Sequence, residues 1–359
     1  MHRIINCLPP CMLLVLLSWH VGCAASNEQR QSERDVPPEQ TVVSSEEHDG
    51  EPHDDGSLWD GYVPFIAVDG EPTYHVLEGY DPRWQTLIRQ GVEEARAYWG
   101  SYGPVHIWIL GRSDDAPVDH EAEQAFIDGY CDWRTATTER TVDECLPHAR
   151  RQFIEVLERD EPEAYLSVVR ETDPHMAELV FINVQDWYFE DDPLPDPILR
   201  GIHEYTHVFQ QSVGRMPTWM MEGGAVFIES WLPALDGRRP IDASMPYIMQ
   251  RARAIEETGL TIADMEDVDT VTEDVKRYYL ELAYDSGAWA TVFLIDRSPT
   301  RSVSAMRDEL YPLIKEIGWE AALAQYVGMK DTAEFYAAFD VFMERPLDEQ
   351  VDVLKSLQP

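Results

Sequence analysis

The chain has 359 residues, with 67 Asp and Glu against 28 Lys and Arg, a formal net charge of −39 at pH 7. Lysine stands only at positions 276, 315, 330 and 355, so the positive charge is nearly all arginine. Such a surface argues against nucleic acid and anionic lipid headgroups as partners, and it suits a salty medium in which screening relieves self-repulsion.

Residues 1–23 read as an export signal. His2 and Arg3 give a weakly basic start, Met12 to Leu17 an apolar core, and Val21-Gly22-Cys23 a small-residue end. The apolar run is too short to span a bilayer. Cys23 after Gly22 resembles a bacterial lipobox, which implies lipidation of Cys23 and a membrane tether; His20 departs from that motif, and cleavage near Ala24 or Ala25 is the competing reading. Residues 24–57 are rich in Glu, Asp, Ser and Pro and nearly free of large apolar side chains, as in a disordered acidic linker. The expected location is therefore a bacterial cell envelope, periplasmic or at the cell surface.

About 300 residues remain, enough for one large or two modest lobes. Tyr62 to Val68 and Thr73 to Leu77 read as short strands. Asp81 to Trp99 has helical spacing, with Trp84, Leu87, Ile88, Val92, Ala95 and Trp99 on one side. Pro104 to Leu110 reads as a buried strand, acidic and mostly helical sequence follows through Thr172, and Ala177 to Val184 is a second strong strand. Cys131 and Cys145 remain once Cys7, Cys11 and Cys23 are set aside. In an oxidising compartment they would form a disulfide; two buried free thiols are the alternative.

The most informative stretch follows. His203-Glu204-Tyr205-Thr206-His207 reads HExxH, on a helix expected from Asp196 to Val213 that stops at Gly214, with Pro217 opening the next. Positions i and i+4 share a helix face, so both imidazoles can grip one zinc ion, with Glu204 placed to take a proton from its water. Catalytic zinc takes three protein ligands, and Glu222 in Trp219-Met220-Met221-Glu222-Gly223-Gly224-Ala225 supplies an acid on the second helix. A surface helix with two solvated histidines is the plain alternative. Beyond Glu222, apolar residues recur at helical spacing in Met245 to Glu257, Glu273 to Ile295, Arg301 to Ile317, Trp319 to Val327 and Thr332 to Met343. Trp219, Trp231 and Trp289 read as core rather than substrate platform.

HExxH followed by WMMEGGA resembles the gluzincin zinc peptidases, in particular the WxxEGxA signature of the aminopeptidase N family. The resemblance covers about Asp196 to Asp296. It implies His203, His207 and Glu222 as zinc ligands and Glu204 as general base. Ala283-Tyr284-Asp285-Ser286-Gly287-Ala288 resembles that family's tyrosine-x-x-glycine stretch, which implies that Tyr284 donates to the developing oxyanion; a core tyrosine is the other reading. The chain departs from the family in three ways. Only fourteen residues separate His207 from Glu222, no GxMEN-like segment for a free amino terminus occurs upstream, and no aspartate lies four residues after Glu222. Glu229, seven residues on, reads as solvent-facing, with partnership to a ligand histidine as the alternative.

The resemblance implies an α+β, zincin-like (thermolysin-like) catalytic domain: a mixed α/β lobe over residues 58–195, then the zinc helices and a helical lobe over 196–359. In such folds an edge strand lines the cleft; Pro104 to Leu110 and Ala177 to Val184 are candidates, although an interior position is the plainer reading for each. The implied activity is zinc-dependent hydrolysis of a peptide or protein substrate, endopeptidase rather than aminopeptidase. A non-catalytic surface lipoprotein and a hydrolase of a non-peptide amide are the rivals.

Overall fold

A computed structural model of the chain describes residues 62–112, 117–159, 162–185, 194–255 and 258–359. The expected signal segment, Cys23 and the acidic linker lie outside the described residues. Strand β1 (Ile66–Ala67) pairs antiparallel with β3 (Tyr102–Gly103). The main sheet has the order β2–β4–β6–β5. In it β2 (Thr73–Val76), β4 (Val105–Leu110) and β6 (Met176–Ile182) run parallel, and β5 (Glu163–Val169) runs antiparallel to β6.

Every residue of β6 is buried, as in an interior strand covered on both faces, and this is why it reads as an apolar run broken only by Glu178, which faces Arg134. Both strands considered for the cleft edge, β4 and β6, are interior; the edges are β2 and β5. Strand β5 corrects the expectation of mostly helical sequence through Thr172. Its Tyr165, Val168 and Val169 favour a pleated surface, but half-exposure of most of the strand leaves no strong apolar pattern.

Helix α1 (Pro82–Trp99) is started by Asp81, whose carboxylate accepts from Arg83 N at 2.8 Å, and its expected apolar face is the buried one. Helices α2 (His120–Thr137) and α3 (Val142–Ala149) lie next in the chain, and Phe126, Tyr130 and Trp133 of α2 pack on Trp108 of β4. Cys131 of α2 and Cys145 of α3 form a disulfide, Cα atoms 5.6 Å apart. Helix α4 (Asp196–Val213) is buried along almost its whole length and α5 (Thr218–Leu235) follows after Gly214, as the spacing predicted.

Two glycine pairs set how these helices meet. A Cβ on Gly91 of α1 would stand 2.0 Å from Ile198 O of α4, and one on Gly201 of α4 would stand 2.5 Å from Ile88 O. Likewise a Cβ on Gly223 of α5 would stand 2.0 Å from the carbonyl carbon of Gly287. No side chain fits at either crossing.

The longer helices that remain are α6 (Met245–Arg253), α7 (Gly287–Arg297), α8 (Tyr311–Ile317), α9 (Trp319–Val327), α10 (Thr332–Met343) and α11 (Leu347–Ser356), the last not anticipated. Glu273 to Ile295, expected as one helix, is a short turn at Glu273–Lys276, a wide π-type segment at Leu280–Ser286, then α7. The buried Asp285 carboxylate in that segment accepts from Arg251 Nε at 2.8 Å. Trp219 and Trp289 are fully buried and Trp231 nearly so, all within the core. One main core runs from Phe65 to Leu357, through both expected lobes. A second, small cluster consists of Ile255, Met265, Leu282 and Ala283. Among the described residues no helix is long and apolar enough to cross a membrane.

Gly223→Ala is expected to cost about 3 kcal/mol of stability, because two helix backbones must separate. Gly129→Ala at an exposed position of α2, where nothing lies within 4 Å, is expected to gain roughly 0.5–1 kcal/mol. Urea unfolding of both variants checks the contrast. Replacing Cys131 and Cys145 by alanine is expected to lower stability by about 3 kcal/mol, read in the same way against wild type.

Candidate metal centre

Helix α4 carries Asp196, Arg200, His203, Glu204 and His207 along one stripe, spaced three and four residues apart. Glu222 comes from the first turns of α5. One ligand atom each from His203, His207 and Glu222 lie within 4.8 Å of one another. The three residues expected as zinc ligands are thus together. Glu222 Oε2 stands 3.4 Å from His203 Nε2 and 3.3 Å from His207 Nε2.

The other nitrogen of each ring is committed elsewhere. His203 Nδ1 is 3.1 Å from Glu229 Oε2, and His207 Nδ1 is 2.7 Å from Gln210 Oε1. A carboxylate and an amide oxygen only accept, so both Nδ1 atoms donate. In neutral imidazoles the two Nε2 lone pairs would then face a buried carboxylate oxygen that itself accepts no hydrogen bond. Such a convergence needs positive charge, either a second proton on the rings or a cation among the three donors. Burial opposes charge on His203, yet Glu222 and Glu229 outweigh it and raise its pKa to about 10. Burial likewise opposes ionisation of Glu222, and the two imidazoles overcome it and hold the carboxyl well below its usual range. Two imidazoles and a carboxylate suit zinc, and the orphaned Oε2 is where such a ligand set needs a free oxygen.

Gln210, fully buried, was not singled out in the sequence. While its oxygen accepts from His207, its Nε2 donates to Met221 O at 2.9 Å, next to Glu222 in the chain. One amide therefore ties the second histidine to the backbone that carries the carboxylate. The signal was its place at i+3 from His207 on the same helix face. Glu229 corrects the solvent-facing reading, since its carboxylate holds His203 and its side chain is only 19% exposed.

Glu204 is buried beside the histidines, and burial pushes its carboxyl pKa up, with the imidazoles opposing. Tyr284 lies with its ring stacked on His203, centroids 5.6 Å apart and planes 9° from parallel. Sequence reasoning missed Tyr279, whose hydroxyl donates to Glu222 Oε1 at 2.8 Å and whose ring meets Tyr284 edge-on. Nothing in composition or periodicity marks it out; only the π-type path of the chain brings it in. His203 is 1% and Glu204 3% exposed, while the side chains of His207 and Glu222 keep 11% and 16% of their surface exposed. Comparison with protein-family models, curated proteins and solved structures finds no match for the chain.

Gln210→Leu removes the acceptor for His207 and cuts its tie to Met221 O, so any affinity of the cluster for zinc is expected to fall roughly 10–100-fold. Competition with a chromophoric chelator measures it.

Proposed function

We propose that this chain is a zinc-dependent metallopeptidase of the gluzincin type on a zincin-like α+β domain. The reading continues with export, a lipid tether at Cys23 and endopeptidase action. The observation that carries it is the convergence of His203 Nε2, His207 Nε2 and the unpartnered Glu222 Oε2, with both Nδ1 protons already spent on Glu229 and Gln210. These three side chains would hold the ion.

Zinc bound there would polarise a carbonyl oxygen and acidify water. The chain's own residues supply the rest. Glu204, next to His203 on the same helix, accepts a proton from the attacking water and returns it to the leaving amine. Its burial favours the protonated form and so suits it to that return. Tyr284, against His203, is the candidate donor to the oxyanion. The antiparallel edge strand β5, with α4 packed against it, is the candidate partner for an extended peptide.

The test is zinc content of the purified protein together with cleavage of an unbiased peptide library by wild type and Glu204→Gln. One zinc in each, with cleavage lowered on the order of 10²–10⁴-fold by Glu204→Gln, supports the peptidase. Zinc in both and cleavage in neither moves the reading to a non-peptide amide or a binding role. Absence of zinc from both overturns it.

A further inference from the structure

The third ligand candidate has two carboxylate oxygens, and the structure treats them differently. Glu222 Oε2 faces the two imidazoles and accepts no hydrogen bond. Glu222 Oε1 accepts from Tyr279 at 2.8 Å. Tyr279 does not belong to the main core. It packs with Tyr278, Val275 and Leu260 on the small cluster of Ile255, Met265, Leu282 and Ala283. The segment that carries it is anchored just downstream by the Arg251–Asp285 ion pair and by the Gly287–Gly223 backbone contact, one residue from Glu222. The hydroxyl is thus delivered to Oε1 by an element fixed on the same helix as the ligand.

Resting on the zinc-centre reading above, we propose that Tyr279 is a positioning residue that restricts Glu222 to coordination through Oε2 alone. A carboxylate binds a cation through one oxygen or two, and an oxygen already accepting from a phenol is the weaker ligand. Two imidazoles and one carboxylate oxygen make three ligands, which leaves a position for water. A carboxylate that closed on the metal with both oxygens would take that position. Tyr279 acts through Glu222 and needs no contact with substrate.

The experiment loads the full-length protein with Co²⁺ and compares wild type, Tyr279→Phe and Val275→Ala by visible absorption, which is strong for four-coordinate cobalt and weak once a fifth ligand joins. Tyr279→Phe keeps the ring and removes the hydroxyl; its absorption is expected to drop, and kcat of the zinc form to fall roughly 10–100-fold with KM little changed. Val275→Ala loosens the same small cluster and keeps the hydroxyl; its spectrum is expected to match wild type. Identical spectra for wild type and Tyr279→Phe overturn the assignment while leaving the metal centre standing. An equal loss in Val275→Ala also overturns it, because the effect then belongs to packing. If wild type takes up no cobalt and no zinc, the metal centre itself fails, and the role of Tyr279 with it.

Discussion

The contact between the backbones of Gly223 and Gly287 governs where everything around the histidines can be. Helices with ordinary side chains between them keep their axes 8–10 Å apart. Here a Cβ on either residue would meet partner-backbone atoms at 2.0–2.4 Å, so only two glycines allow the crossing. Gly223 follows Glu222 directly, and Gly287 lies three residues past Tyr284. Closing this gap places both tyrosines against the cluster of His203 and Glu222. The Gly91–Gly201 pair does the same for the other side of α4, seating the helix on α1 two residues before His203. Trp99 Nε1 donating to Thr206 Oγ1 at 3.0 Å, and the stacking of Trp99 on Phe209, then fix its rotation.

Charge is the second constraint. Glu204, Glu222 and Glu229 meet two imidazoles, while Arg200 pairs with Asp196. Unpaired buried carboxylates are costly, and here the cost is offset by pulling protons or a cation onto the histidines. A cation that binds only the folded arrangement stabilises it by mass action, so ligand geometry and fold stability become one quantity. The atoms behind the three clustered side chains therefore matter as much as those side chains. Gln210 joins His207 to Met221 O through one amide, and losing it would disturb a ring and a helix together.

The sequence displayed some of this and concealed the rest for physical reasons. Helices α1, α4, α9 and α10 were legible because their apolar residues follow a 3.6 period between clear stop signals, and β4 and β6 because interior strands are mostly apolar, with only His106 and Glu178 as exceptions. The three clustered side chains were legible through the four-residue spacing in His203 to His207 and the acid that follows. Strand β5 was not, since a half-exposed edge among acidic neighbours carries little contrast. Tyr279 and Glu229 were hidden because their partners lie on other helices or at a helical offset that also fits solvent exposure. The glycines were visible in Glu222-Gly223-Gly224 and Asp285-Ser286-Gly287, but a close backbone approach has two halves, and neither half names the other.

The division of the apolar interior bears on how the cluster of His203, His207 and Glu222 is held. Local opening costs least where the fewest apolar groups are buried. The main core runs nearly the length of the described residues, whereas the cluster that bears Tyr279 has four buried members. The fold therefore sets its smallest core beside Glu222, and Tyr284, which packs against both clusters, sits on the seam. Tyr279 reaches Glu222 from that small core, whereas Gln210 and Glu229 belong to helices in the main core. The Glu222 carboxylate is thus held from both cores, and the two imidazoles from the main one.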